Sequence, residues 1–308
     1  MTRTFFIVGP TATGKSELAA DLALEAGAEI VSADAFQIYR GLDLLTAKPE
    51  AFTLAKAPHH LIGTTPLSEE MNAEKYRRLA ACAINEINSR GKLAIVVGGS
   101  GLYIKALTHG LAPLPEPDPK LREKLNAMSL DQLRSQFTEL DPQAASTIDI
   151  KNRRRVVRAL EICLLTGKTA SQAVAGVGDP GSPWSAPTAT GVFVFRDREQ
   201  LYQRINQRVE TMFERGVVED VRAASTVGPT ASQMIGLREI RELLEGKKSR
   251  FQCIAEIQQA TRRYAKRQLT WFRRQTNFFP LNLSLLTHNE AVQWISLRLL
   301  SEVETRDD

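Results

Sequence analysis

The sequence predicts an α/β fold in which helices flank a parallel sheet, and three observations lead to this prediction. An apolar run at residues 5–8 ends in a glycine-rich turn. A segment with helical periodicity follows that turn. Further apolar runs at residues 29–34, 92–98 and 191–195 are again strand-like and are separated by helical segments. Buried strands that alternate with helices are typical of parallel sheets.

The glycine-rich turn, GPTATGKS at residues 9–16, matches the pattern G-x-x-x-x-G-K-[ST] at every fixed position. Such a loop points its backbone N–H groups at a di- or triphosphate, and the helix N-terminus adds its positive end. Lys15 can pair with a phosphate, and the Ser16 hydroxyl suits Mg²⁺. The turn therefore predicts a P-loop NTPase-like sheet with a phosphate site. A tight turn without a ligand is the alternative.

The composition is that of an ordinary globular protein. Of 308 residues, 43% are hydrophobic and 24% are charged, which excludes a disordered chain. No apolar run reaches ~18 residues, so we expect no membrane partner. The first strand begins within about five residues of the N-terminus, which leaves no room for a signal peptide, and we expect a cytoplasmic protein. Cys82, Cys163 and Cys253 lie far apart in helical patterns and are expected to be reduced core thiols.

Asp34 ends the second predicted strand. Ligands of open α/β sheets bind at the carboxyl ends of the strands, so we expect Asp34 to lie beside the phosphate loop. In an ATPase this acid would be a metal ligand, and in a transferase it could equally be a base. A helix or turn cap is the third interpretation.

A second glycine-rich turn, at residues 98–102, follows the third strand and has Ser100 at its apex. Two such turns at the strand ends of one sheet predict a deep pocket for a polyphosphate or a nucleotide-like ligand. The adjacent His59 and His60 do not face the same way, so no metal pair is expected there.

Two breaker-rich segments divide the chain. The breaker-rich segments are residues 111–119 and 176–187. Between them lie only helical patterns, at residues 120–126, 130–140 and 151–166. We therefore predict that residues 1–112 begin the P-loop core, that residues 113–188 form a hinged helical insertion, and that residues 189–308 complete the core and carry basic helices.

A basic helix face is predicted inside the insertion. Lys151, Arg155 and Arg158 recur at helical spacing. The apolar stripe opposite them consists of Val156, Val157, Leu160 and Leu164. No acid lies between residues 150 and 160, so this face suits phosphates, and a merely solvated face is the alternative.

The helix after the fourth strand has Asp197 as its expected N-cap. Its predicted buried stripe is Leu201, Ile205, Val209 and Met212. Arg204 and Arg208 lie four residues apart at the edge of this stripe, where a guanidinium needs an anion such as pyrophosphate. An ordinary ion pair with Glu210 or Glu214 is equally compatible with the spacing.

Residues 261–275 are basic and contain no acid. Tyr264, Trp271 and Phe272 are interleaved with the basic residues, which is typical of a nucleic-acid surface. For these aromatic residues we favour core packing over base stacking. Residues 278–308 are predicted to form a short connector and a closing amphipathic helix.

Eight segments carry a resemblance to a known family, and in chain order they are GPTATGKS, SADAFQIYRGLDLLTAKP, APHHLI, VVGGSGLYIKAL, NRRRVVRALE, RINQRVETMFERG, SQMIGLREI and TRRYAKRQLTWFR. The sequence resembles the bacterial tRNA dimethylallyltransferases, also called tRNA isopentenyltransferases, over nearly its whole length. The resemblance implies transfer of a dimethylallyl group from dimethylallyl diphosphate to the exocyclic amine of the adenosine 3′ of the anticodon in tRNA, with release of diphosphate. The P-loop would then hold the pyrophosphate of the donor and not ATP, the tRNA anticodon stem-loop would be the acceptor, and Mg²⁺ the cofactor. We expect a monomer.

The same resemblance implies roles for single residues. Asp34 would be the base on the adenine amine, Lys15 and Ser100 would contact the bridging region of the diphosphate, and Arg208 would hold its far end. The implied diphosphate-binding residues are Gly9, Pro10, Thr11, Ala12, Thr13, Gly14, Lys15, Ser16 and Arg208, with Ser16 as the metal ligand. The implied tRNA-binding residues are Asp34, Ala35, Phe36, Gln37, Ser100, Arg122, Arg154, Arg155, Val156, Val157, Arg158, Gln233, Met234, Ile235, Gly236, Leu237 and Arg238.

Three positions depart from the family pattern. Ala35 stands where the family has Ser, Leu44-Leu45 replaces the common Ile-Gly, and Leu237 stands where Tyr is usual. Loss of the hydroxyls at 35 and 237 is expected to remove contacts with tRNA or adenine.

Two other functions compete with this one. An ATP-dependent small-molecule kinase is the main alternative, because a P-loop alone favours phosphoryl transfer, and it predicts a lid with catalytic arginines. A non-enzymatic RNA-binding module is the third hypothesis, but it does not explain the presence of a phosphate site. Two basic helical surfaces far apart in the chain favour a large polyanionic acceptor.

Overall fold

The computed structural model of the protein describes residues 3–174, 190–224, 226–275 and 278–307, with side chains except at 174 and 300–307. Its strands are β1 (Thr4–Val8), β2 (Glu29–Ala33), β3 (His59–His60), β4 (Ala94–Gly98), β5 (Gly191–Phe195) and β6 (Phe279–Asn282). They form one sheet in the order β3-β2-β4-β1-β5-β6, and every pairing is parallel. The predicted α/β class with a parallel sheet is confirmed.

The middle of the sheet is buried on both faces. All five residues of β1, of β2 and of β4 are buried. This burial explains why these strands are mainly apolar and do not alternate between apolar and polar residues, although β2 also buries Glu29 and Ser32.

The two edge strands were not predicted from the sequence. β3 has two residues, which is too short for a periodic signal. β6 contains Pro280, which cannot donate a backbone hydrogen bond and is tolerated at a sheet edge. The short connector predicted from residue 278 onward therefore contains a strand, whereas the closing helix predicted after it is present as His288–Asp307.

Helices cover the sheet and build the insertion. In the described ranges they are α1 (Lys15–Ala26), α2 (Ala51–Leu54), α3 (Ala73–Ser89), α4 (Gly101–His109), α5 (Pro119–Ala127), α6 (Leu130–Leu140), α7 (Pro142–Thr147), α8 (Arg153–Thr166), α9 (Ala170–Val174), α10 (Arg198–Glu214), α11 (Val217–Arg222), α12 (Leu237–Leu244), α13 (Arg250–Phe272) and α14 (His288–Asp307). A short 3₁₀ turn covers Ala231–Gln233.

Local capping sets the ends of these helices. Asn72 starts α3 by accepting a hydrogen bond from the N–H of Lys75 at 2.8 Å. α6 has the predicted bounds, because Ser129 forms a capping box with Gln132. Asp197 precedes α10 as predicted, but it makes no side-chain capping bond.

The chain forms two compact units, Met1–Thr108 with Ala186–Asp308 and, separately, His109–Ser185. The core of the first unit joins the sheet to α1 and α14 through residues such as Ile7, Leu18 and Ile295. The second unit has its own core, which includes Leu133, Phe137, Val156 and Leu160. That the borders of the second unit act as hinges stays a prediction.

The prediction of core thiols holds for two of the three cysteines. Cys163 and Cys253 are buried free thiols as expected, whereas Cys82 is exposed, so it is not a core thiol. Across the residues that the structure describes, no helix is both long and apolar enough to span a bilayer.

Candidate active site

The P-loop, residues 9–16, connects β1 to α1 at the carboxyl edge of the sheet. Gly9 lies so close to β5 that a Cβ atom there would be 2.1 Å from the carbonyl oxygen of Val194. Gly14 precedes α1 with φ of 94°, in the left-handed region that favours glycine. The first N–H groups of α1 have no intrahelical partners, so this end of the helix can receive an anion.

Two side chains from distant helices fix Thr11 in the P-loop. The N–H of Thr11 donates to Oε1 of Gln268 at 2.9 Å. Arg208 donates from Nη1 to the Thr11 hydroxyl at 2.9 Å. Thr11, within the predicted cradle, is therefore held by α13 on one side and by α10 on the other.

Two further arginines hold the next loop residues. Arg204 donates to the carbonyl oxygen of Ala12 at 2.9 Å, and Arg196 donates to that of Thr13 at 2.8 Å. In the part of the chain that the structure describes, neither Arg204 nor Arg208 pairs with Glu210 or Glu214. The ion-pair interpretation of these arginines was therefore wrong.

Lys15 is half-buried at the base of the loop, where Nζ donates to the carbonyl oxygen of Pro10 at 3.1 Å. Burial lowers the pKa of Lys15 to about 8, and the charge of Asp34 opposes this shift. Burial also lowers the pKa of Arg208, again opposed by Asp34. Two cations and one carboxylate therefore share a poorly solvated site.

Binding of a diphosphate should protonate Lys15. The pKa of Lys15 is about 8 in the free protein, and a bound anion stabilises its charged form, so the pKa rises on binding and the protein takes up protons near pH 8. The affinity for inorganic pyrophosphate should consequently fall as the pH rises above 8.

Calorimetric titration in two buffers of different ionisation enthalpy measures this proton uptake. The Lys15→Ala variant is the matched control, because the protonation of pyrophosphate itself is common to both titrations. Equal proton uptake by the wild type and the variant contradicts the prediction.

Asp34 directly follows β2 and caps a turn. Its Oδ1 accepts hydrogen bonds from the N–H groups of Phe36 at 2.9 Å and Gln37 at 3.2 Å. Among the described residues, no group donates to its Oδ2. The capping interpretation thus holds for one oxygen, and the other is available for chemistry beside Lys15 and Arg208.

Ser100 connects the second glycine-rich turn to Asp34. Ser100 is only 8% exposed, and its hydroxyl accepts a hydrogen bond from the N–H of Ala35 at 2.9 Å. Ser100 also interacts with the hydroxyl of Tyr264, whose pKa is raised by burial, so the phenol stays protonated. Gly98 allows the close packing of this turn, because a Cβ there would lie 2.1 Å from the carbonyl oxygen of Ala33.

Two cavities share Asp34 as a lining residue. The larger is a cleft of about 880 Å³ lined by the P-loop and by charged side chains. The smaller, about 80 Å³, is mainly apolar and is lined by residues such as Leu45, Ile205, Val209, Met234 and Ile257. Thr11, Asp34, Thr46, Arg208 and Met212 line both cavities. An anion-binding cleft and a narrow apolar cavity therefore meet at one carboxylate.

The model of the IPP transferase family matches residues 37–275. The chain belongs to this family.

Relatives and solved structures agree with this family over almost the full length. The tRNA dimethylallyltransferase of Akkermansia muciniphila is 41% identical over 278 residues, 88% of this chain and 90% of that protein. The tRNA isopentenylpyrophosphate transferase of Bacillus halodurans is 32% identical with a TM-score of 0.72, covering 100% of this chain and 98% of that one. A eukaryotic dimethylallyltransferase acting on tRNA is 26% identical with a TM-score of 0.74, covering 91% of this chain and 74% of that one.

The loop that follows Asp34 lines the larger cleft. Nε2 of Gln37 donates to the carbonyl oxygen of Ala47 at 2.9 Å, which closes this loop on itself. The carboxylate of Asp220 accepts a hydrogen bond from the N–H of Leu44 at 3.3 Å. Leu45 packs on Gly236, where a Cβ would lie 2.8 Å from its Cδ1 atom. The Gln37 side chain therefore has a structural role besides any contact with tRNA.

The segment 233–238 faces the apolar cavity in part. Met234 and Ile235 line that cavity. Leu237 is 1% exposed, so its side chain packs inside the protein, and the expected loss of a contact with tRNA or adenine at this position stays a prediction. Gln233 and Arg238 are exposed, although Arg238 pairs with Glu239 at 2.7 Å.

In the second unit, a buried carboxylate engages two of the predicted tRNA contacts. Arg122 forms a bidentate pair with Glu161 at 2.6 Å from Nε and Nη2. Arg158 donates to Glu161 at 3.2 Å and to the carbonyl oxygen of Pro115 at 2.8 Å. Because Glu161 is buried, these guanidinium groups compensate its charge, which sequence spacing alone did not reveal.

The helix face predicted in this unit is corrected in detail. Val156 and Val157 are buried in the core of the unit, so their side chains are not available to tRNA. Leu164 belongs to the predicted apolar stripe but is 43% exposed. Arg154 and Arg155 are exposed and remain candidates for phosphate contacts.

α13 carries a basic surface in the first unit. Arg263, Lys266 and Arg267 are exposed on it, whereas Arg262 donates to Oδ1 of Asn206 at 2.6 Å. Phe272 is a core residue as favoured from the sequence. Tyr264 is not, because it lines the apolar cavity beside Asp34.

The donor atoms present suit a phosphate-bound magnesium ion. Within the described ranges, no cluster of three or more His, Cys, Asp or Glu side chains could hold a metal by itself. Ser16 and Asp34 both line the cleft and supply oxygen atoms. Mg²⁺ needs few protein oxygens when phosphate oxygens and water complete its octahedron, so the site fits the ion.

Proposed function

We propose that the protein transfers the dimethylallyl group of dimethylallyl diphosphate to the exocyclic amine of the adenosine 3′ of the anticodon in tRNA. The observation that carries this proposal is the position of Asp34 between an anion-binding cleft and an apolar cavity. A prenyl diphosphate has the same two parts, a polyanionic head and a small apolar tail. The names of the family's members support the choice of donor and acceptor.

The diphosphate binds in the cleft. Lys15 and Arg208 are cations there, and Ser16 lies at the start of α1. Negative charge develops on the diphosphate as the carbon–oxygen bond breaks, and fixed cations stabilise that charge in the transition state. Mg²⁺, held by Ser16 and phosphate oxygens, would neutralise the same leaving group.

The acceptor amine meets Asp34. An exocyclic adenine amine is a poor nucleophile because its lone pair is delocalised into the ring, so its attack needs a carboxylate to take the proton. The base must leave its stack to reach that carboxylate. The free Oδ2 of Asp34 supports this role, since Oδ1 alone satisfies the turn.

Transfer of label tests the reaction directly. The protein is incubated with Mg²⁺ and unmodified tRNA, and with either dimethylallyl diphosphate labelled in the prenyl group or ATP labelled in the γ-phosphate. Prenyl label should reach the RNA. Label from ATP in the RNA, without prenyl label, would overturn the proposal in favour of a phosphotransferase.

The exposed basic side chains of α8 and α13 lead to a second prediction. Arg154, Arg155, Arg263 and Lys266 are exposed and make no ion pair among the described residues. If each contacts a tRNA phosphate, each substitution by Ala should lower the salt slope of log K by ~0.7–0.9 without changing which tRNA is preferred.

Filter binding of the fourfold variant at several salt concentrations measures this slope. Lys247→Ala is the control, because that exposed lysine already pairs with Glu245 at 2.6 Å. An unchanged slope in the fourfold variant would mean that these side chains form only solvated faces.

A further inference from the structure

The buried side chain of Gln268 joins the two glycine-rich turns of the site. It lies on α13 and is 6% exposed. Its Oε1 accepts the N–H of Thr11 at 2.9 Å, and its Nε2 donates to the carbonyl oxygen of Gly99 at 2.8 Å. A backbone donor on one side and a backbone acceptor on the other fix the orientation of the amide.

The two glycine-rich turns pack too closely for a Cβ atom to fit at Gly99 or Gly101. A Cβ atom on Gly99 would lie 2.3 Å from Nε2 of Gln268 and 2.7 Å from the carbonyl oxygen of Gly9. A Cβ on Gly101 would lie 2.7 Å from the ring of Trp271. The P-loop and the second turn therefore approach each other through backbone atoms, and the side chains of Gln268 and Trp271 on α13 pack directly against the second turn, so a small change in one moves the others.

One stripe of α13 makes all of these contacts. Tyr264, Gln268 and Trp271 are spaced i, i+4 and i+7, so they share a helix face. Tyr264 interacts with Ser100, Gln268 with Thr11 and Gly99, and Trp271 with Gly101. A polar residue that is buried in the middle of such a stripe needs a reason, because burial of an amide costs free energy unless both of its ends are bonded.

We propose that Gln268 is a positioning residue for the donor, which sets the spacing between Thr11 of the P-loop and the Ser100 turn. It also turns the Thr11 N–H toward α13, so the cradle for the diphosphate is formed by the loop residues that follow. This proposal rests on the proposed function in its choice of donor. The binding of inorganic pyrophosphate tests it independently of transfer.

The first test replaces Gln268 by Met, which keeps the size and removes both hydrogen bonds. The matched control is Gln258→Met on the same helix, because Nε2 of Gln258 bonds to Glu210 at 3.1 Å, away from both turns. We expect Gln268→Met to weaken Mg²⁺–pyrophosphate binding and to lower kcat/KM for the donor by ~10–100-fold, the range for an unsatisfied buried polar group. The affinity for tRNA should not change.

Gln258→Met should leave pyrophosphate binding and donor kcat/KM unchanged, and thermal unfolding of both variants shows whether they are folded. An equal loss in the two variants, or unchanged pyrophosphate affinity in Gln268→Met, overturns the proposal. A wild type that binds pyrophosphate but transfers no prenyl group would instead contradict the proposed function, and the pyrophosphate measurement would still decide the role of Gln268.

The second test uses Gln268→Glu and pH. A carboxylic acid at this position can accept from the Thr11 N–H and donate to the Gly99 oxygen, whereas a carboxylate can only accept. Burial favours the protonated acid, so the rate of the variant relative to the wild type should rise as the pH falls from 8 to 6. A ratio that stays constant with pH overturns the positioning role, because a general loss of folding would not be reversed by protonation of this one group.

Discussion

The Asp34→Asn variant should bind the donor and tRNA nearly as the wild type does, while its chemical step slows by ~10²–10⁴-fold. Asn is the informative substitution because its Oδ1 can still accept the two N–H groups of Phe36 and Gln37, so the turn persists. The variant loses the negative charge and the oxygen that would take the proton of the amine. The measurement is the single-turnover rate of prenyl transfer.

Magnesium separates the two roles considered for Asp34. If the carboxylate is a base, a higher Mg²⁺ concentration will not restore the rate of Asp34→Asn. Rescue by Mg²⁺ would make Asp34 a metal ligand instead. Asp43→Asn is the control, since that carboxylate also lines the cleft but pairs with Lys48.

Lys15→Ala should lose ~2–4 kcal/mol of transition-state stabilisation, which lowers donor kcat/KM, and it should leave tRNA binding unchanged. The effect is large because Lys15 is half-buried beside Asp34 and Arg208, where a charge interacts more strongly than in water. Steady-state kinetics with varied donor measure it.

Lys48→Ala provides the comparison for Lys15. Lys48 lines the same cleft, but its ammonium group donates to Asp43 and to the carbonyl oxygen of Gly41, so its loss should have a much smaller effect on donor kcat/KM. Undiminished turnover in Lys15→Ala would remove the P-loop from the mechanism.

The P-loop could be predicted from the sequence because its geometry is local. Gly14 must adopt a left-handed conformation before α1, and Lys15 and Ser16 follow it directly. The strand before the loop and the helix after it have unambiguous apolar patterns, so the sequence also places Asp34 at the same edge of the sheet. These elements depend on neighbours within a few positions in the chain.

Gln268 could not be predicted, because its partners are distant in the chain. It lies 257 positions from Thr11 and 169 from Gly99. In the sequence it stands in the basic run 261–275, which is typical of a surface and not of a buried site. No local rule indicates that an amide there is buried.

The arginines of the second unit illustrate a different limit. The spacing of Arg158 and Glu161 permits a helical ion pair, but Arg122 is 39 positions from Glu161. Whether these guanidinium groups face solvent depends on the burial of one carboxylate, which is a property of the packed unit. A basic pattern in sequence therefore gave the helix and the exposed Lys151 and Arg155, but it did not reveal that Arg158 pairs with a buried carboxylate.

The placement of β5 has a consequence for synthesis of the chain on the ribosome. β1 pairs with β4 on one side and with β5 on the other, and β5 begins only at Gly191. At ~5–20 residues per second, translation from the end of β4 at Gly98 to Gly191 takes roughly 5–20 s, during which that edge of β1 has no partner. An open edge strand can pair with another chain. The continuous second unit is synthesised in this interval, so a nascent chain that stalls within it would present an incomplete sheet to chaperones and proteases.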